Sequence, residues 1–77
     1  MKSAKEMFEE LGYELTIPET KFEKQFVEYF NNEKNILISF CLYEKTVFVA
    51  ENRGGVYLNT KTLAAICQQV KELGWLE

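Results

Sequence analysis

The groups with chemistry to offer in this 77-residue chain are two cysteines, one arginine and twelve carboxylates, and there is no histidine. Without histidine the chain lacks the commonest general base at neutral pH and the commonest zinc ligand. Cys41 and Cys67 are too few, and too far apart in sequence, to build a zinc site. Both sit in apolar patterns on different predicted elements, so they read as buried free thiols acting as small hydrophobes, not as a disulfide. No glycine-rich phosphate loop and no nucleophile elbow is present. The glutamates form no in-sequence pair suited to acid/base work. The expectation is a protein that is not an enzyme, with no catalytic residue, no metal and no cofactor.

Arg53 is the only arginine and precedes Gly54 and Gly55. That stretch reads as a hairpin turn with an exposed arginine, or as a loop that contacts a protein. Arg53 with Lys21, Lys24 and Lys34 is the best nucleic-acid surface on offer. The net charge of −3 and pI near 5.0 speak against it, because phosphate backbones are bound by clustered cations. Nucleic acid is therefore an unlikely partner on composition. Glu6, Glu9, Glu10 and Glu14 interleave with Lys2 and Lys5, the pattern of a solvated helix face.

The elements that must position these groups are legible from period and punctuation. Ser3-Ala4-Lys5-Glu6 has the form of a capping box, and Ala4, Met7, Phe8 and Leu11 recur at helical spacing behind it. The helix should stop at Gly12, with Tyr13 folding back. A second helix starts at Asn59 or Thr60, carries Leu63, Ile66, Cys67, Val70 and Leu73, and stops at Gly74-Trp75. The repeated phrase of leucine, glycine and aromatic is one helix-stopping device used twice, and it predicts positive φ at Gly12 and Gly74.

Between the helices the period becomes two. Strands are predicted over Tyr13–Ile17, about 25–30, Ile36–Tyr43, Thr46–Glu51 and Val56–Leu58. Phe22–Phe30 also fits a helix, but the loop Asn31–Asn35 favours a hairpin. Short connections demand an antiparallel meander. The fold class is α+β: two layers, a meander of four to five strands, and an N-terminal and a C-terminal helix on one face. Residues 1–77 make a single domain. Phe8, Leu11, Ile38, Phe40, Val47, Val49, Leu63, Ile66, Val70 and Trp75 are the predicted core.

Aromatic residues reach 14% of the chain, more than one sheet face needs. If Ile36, Ile38, Phe40, Leu42, Val47 and Val49 lie under the helices, Leu37, Cys41, Tyr43 and Phe48 face the other way, with Tyr29 and Tyr57 beside them. Half-solvated sheets carry polar residues there, so such a face marks an interface. The candidate protein interface is Tyr29, Leu37, Tyr43, Phe48, Arg53 and Tyr57. Its cover is a part of the same chain, a second copy in a homodimer, or another protein.

No signal peptide and no transmembrane stretch is read; the longest apolar run, around Ile36–Leu42, is strand-sized. Residues Ser3–Tyr13, "SAKEMFEELGY", and the closing "QQVKELGW" resemble the ends of small proteins encoded by phages and mobile elements of Gram-positive bacteria. The resemblance covers about a third of the chain, at its two ends, and rests on helix caps and core positions. It implies a cytoplasmic accessory protein of a bacterial host's phage or prophage. Proteins in that setting often bind and block a host or immune factor, such as a component of CRISPR. No catalytic or cofactor residue carries over.

Overall fold

The computed structural model describes residues 2–16, 25–51 and 58–75. Helix α1 (Ala4–Glu10) is followed by strands β1 (Glu14–Thr16), β2 (Phe26–Asn31), β3 (Ile36–Cys41) and β4 (Thr46–Glu51), and the order closes with helix α2 (Thr60–Glu72). The four strands form one antiparallel sheet in sequence order. This is the α+β meander with a helix at each end. The expected strand Val56–Leu58 falls mostly outside the described residues, and Leu58 is not in a strand. Ile17, Lys21, Phe22, Lys24 and the Arg53-Gly54-Gly55 turn also lie outside them.

Both helices end as their local sequence requires. The Ser3 hydroxyl accepts from the Glu6 N–H, and the Glu6 carboxylate accepts from the Ser3 N–H at 3.1 Å, completing the capping box. The Ser3 N–H foremost, and the Ser3 hydroxyl donating to the same carboxylate oxygen, hold the Glu6 carboxyl below the usual carboxylate range. The side chain of Asn59 caps α2 by accepting from Thr62 N–H. Gly12 and Gly74 have φ of +92° and +76°. After the first, Gly12 N–H donates to Glu9 and Tyr13 N–H to Phe8; after the second, Gly74 N–H donates to Lys71 and Trp75 N–H to Val70. The two ends share the same Schellman geometry.

The strand connections are also local. Between β2 and β3 the four residues 32–35 turn the chain, with Asn35 at φ +57°; between β3 and β4 residues 42–45 do so, with Lys45 at +58°. β3 therefore ends at Cys41, two residues before the expected Tyr43, because the turn takes four residues where Glu44-Lys45 alone was expected.

The core lies between the helices and one sheet face. Phe8 of α1 stacks on Tyr29 of β2 with centroids 4.0 Å apart, and both meet Phe40 of β3 edge-on at 6.2 Å. Trp75 tilts against Phe40 at 6.4 Å, and Tyr13 closes on Phe8 at 5.5 Å. Ala4, Ile38 and Ala65 are fully buried around them. The start of α1 is tied to the end of α2, since Ala4 N–H donates to the Glu72 carboxylate at 2.7 Å.

The core departs from the sequence expectation in specific places. Tyr29 is buried at 2% exposure on the helix side, not on the outer face, because the hairpin register sets it opposite Ile38. Leu63 is 47% exposed and Cys67 is exposed: α2 is rotated so that Thr62, Ala65 and Gln69 point inward, with Ile66, Val70 and Leu73 half-buried beside them. The bond from the Tyr29 hydroxyl to Gln69 Oε1, 2.6 Å long, fixes that rotation. Leu11, Val49 and Trp75 are half-buried rather than buried. Val47 is 38% exposed although it points to the helix side, because it lies at the end of the edge strand next to the turn.

Candidate protein-binding face

The outer face of the sheet follows from the strand register. Side chains alternate between faces, so every residue paired with an outward neighbour is itself outward. Three cross-strand rows result. The first runs Glu14, Phe30, Leu37, Ala50; the second Thr16, Glu28, Ser39, Phe48; the third Phe26, Cys41, Thr46. The β1 end of this face is polar. The β2–β4 part is largely apolar: Phe26, Phe30, Leu37, Cys41 and Ala50 are half-buried there, with Ser39 buried among them and Glu28 and Thr46 as its polar members. Among the described residues no helix or strand lies over it; both helices pack on the Ile38 and Phe40 side.

Phe48 is the projecting member, 62% exposed on edge strand β4. Tyr43, at the tip of the β3–β4 hairpin, is 82% exposed. Together with Val47 they give this corner exposed apolar side chains on both sides of one strand and at its turn.

Of the expected interface residues, Leu37 and Phe48 share the outer face and Tyr43 stands at its end. Tyr29 does not belong to it. Its hydroxyl is spent on Gln69 and its ring on Phe8, and burial with the nearby Glu72 and Glu9 charges pushes its pKa up to about 12. Arg53 and Tyr57 lie outside the described residues. Phe26 and Phe30 are members of this outer face that the residue-type reading passed over. The signal for them was present: a four-residue turn between Asn31 and Ile36 puts Phe30 opposite Leu37 and Phe26 opposite Cys41.

A concavity of about 270 Å³ lies on the helix layer and is lined by Lys2, Met7, Glu10, Leu11, Lys61 and Ala64. Lys2 is ion-paired with Glu10 there. Both partners are more than half exposed, so the pair contributes little.

Cys41 and Cys67 are free thiols. Among the described residues no three metal-capable side chains gather, and no helix is long and apolar enough to cross a membrane. Comparison with protein-family models, with curated proteins and with solved structures finds no match.

Proposed function

We propose that this chain is a non-enzymatic protein-binding module whose docking surface is the outer sheet face and the tip of the β3–β4 hairpin. The observation that carries the reading is the pair of projecting aromatics, Tyr43 and Phe48, at the edge of an apolar face with nothing over it among the described residues. Aromatic side chains are the favoured anchors of protein interfaces, since they supply large contact area at small entropic cost. The resemblance of the chain ends adds a setting: an accessory protein of a phage or mobile element, in the bacterial cytoplasm, that occupies and blocks a host or immune factor.

The test is a tagged pull-down from host lysate after nuclease treatment, comparing the parent with Tyr43→Glu/Phe48→Glu. A stoichiometric protein captured by the parent and lost by the variant, with the far-UV circular dichroism unchanged, supports the reading. Unfolding of the double variant would show the corner to be core, and capture indifferent to the substitutions would place the binding surface elsewhere. Self-association is a second reading, favoured by the outer edge of β4, which no other strand pairs with among the described residues.

A further inference from the structure

We propose that β4 is a self-pairing edge: two copies of this chain join antiparallel along Thr46–Glu51, centred on Phe48, and merge two four-stranded sheets into one. This goes beyond the docking reading and does not depend on it, because it needs the strand's edge and not the sheet's face.

The sheet has two edges of unlike character. β1 is three residues long and starts with Glu14, both features that blunt an edge. β4 is six residues long, and Thr46-Val47-Phe48-Val49-Ala50 carries neither a charge nor a proline. Among the described residues nothing pairs with its outer side.

The direction of its free hydrogen-bonding groups can be worked out. The Cys41 carbonyl accepts from Lys45 N–H at 2.8 Å, so it points toward the β4 side of β3. Leu42 N–H donates the other way, to Gln25 before β2. Alternation then directs the backbone groups of Leu37, Ser39 and Cys41 to β4, and those of their partners Ala50, Phe48 and Thr46 back to β3. The N–H and C=O groups of Val47 and Val49 are left pointing outward.

The sequence of this strand is complementary to itself. Antiparallel to a second copy and centred on Phe48, Val47 meets Val49, Thr46 meets Ala50, and Phe48 meets Phe48. The two ends of the strand differ in charge, with Lys45 of the turn before it and Glu51 closing it, so the two-fold axis brings unlike charges to the same ends. In this register Val47 and Val49 exchange the backbone hydrogen bonds. Phe48 falls at the closely spaced, non-hydrogen-bonded position, where cross-strand aromatics approach best. The register also covers Val47 and Phe48, the two exposed apolar residues of the strand, one on each face. A register shifted by one step of each strand would set Val47 against Glu51 and lose the fit.

The experiment is light scattering or sedimentation on the full chain. The expected mass is twice the 9.0 kDa of one chain. Val47→Pro should give the monomer mass with an unchanged circular dichroism spectrum, since an edge strand tolerates proline where its N–H faces outward. In a Cys41→Ser/Cys67→Ser background, Phe48→Cys should cross-link two chains under oxidised glutathione, whereas Val47→Cys should not. The cysteine pair decides the matter if Val47→Pro fails to fold. A parent that stays monomeric up to its solubility limit overturns the proposal. So does a dimer indifferent to Val47→Pro, or equal cross-linking at both positions. Val47→Pro leaves Tyr43 and Phe48 in place, so loss of the dimer with retained capture of another protein separates this edge from the docking face.

Discussion

The two faces of this sheet are built from similar residues and end in opposite states. On the helix side, Phe8, Tyr29 and Phe40 contact one another within 6.2 Å, and all are essentially buried. On the outer side, Phe26, Phe30 and Leu37 are half-buried, and Phe48 projects from the edge. Hydrophobicity does not separate the two sets. Coverage does: α1 and α2 both lie on the same face, and the edge strand β4 extends beyond what they shield. A small domain with two short helices can close one face well, and among the described residues no helix or strand lies over the second.

The sharpest way to test that contrast is a matched pair of truncations. Phe8→Ala should destabilise by about 3–5 kcal/mol, since it empties the centre of the aromatic cluster. Phe48→Ala should change the stability of the monomer by no more than about 0.5 kcal/mol, as expected of an exposed position. Urea unfolding of both variants measures the difference, and equal losses would abolish the distinction between the faces.

A smaller effect is expected at the buried side-chain bond that joins β2 to α2 on the core face. Tyr29→Phe should cost about 1–3 kcal/mol, because Gln69 remains buried with its acceptor unsatisfied. The same tyrosine makes the fold alkali-sensitive. Its pKa is raised from 10.0 to about 12 by burial. The folded state therefore holds its proton more tightly than the unfolded state does. That contribution is complete below pH 10 and is lost as pH rises through about 12. Stability measured against pH should fall across that window in the parent, and less steeply in Tyr29→Phe.

The smallest expected effects compare the two helix ends. Gly74→Ala should cost roughly 1 kcal/mol, the penalty of a side chain at positive φ in otherwise open space. Gly12→Ala should cost more. Its added methyl would stand 3.3 Å from Nδ2 of buried Asn31, which donates to the Leu11 carbonyl. Thermal melts of the two variants side by side would show whether Asn31 makes the first helix end the stiffer one.

What was legible in the sequence is what short-range chemistry settles. Ser3 with Glu6, Gly12 before Tyr13 and Gly74 before Trp75 mark helix ends, because a cap is satisfied within about one turn of its own chain. The bounds of β4 and the strand character of residues 26–30 follow from a period of two and from turn residues beside them. The shared outer face of Leu37 and Phe48 was readable because their strands are unambiguous, whereas Tyr43, expected at the end of β3, stands in the turn.

The tertiary structure alone decided which way β2 and α2 turn. Tyr29 and Phe30 are neighbours of like chemistry, and only pairing with Ile38 and Leu37 sends the first to the core and the second outward. Leu63 looks like a core residue by period, yet the helix rotates to bring Gln69 to the Tyr29 hydroxyl and Leu63 to the surface. Val47 is apolar and correctly facing, yet it is 38% exposed, and neither α1 nor α2 covers it. Sequence period states that a residue shares a face with its neighbours two or four positions away. Which face is buried, and how far the burial extends, depends on where distant elements land, and that is set by contacts across the fold.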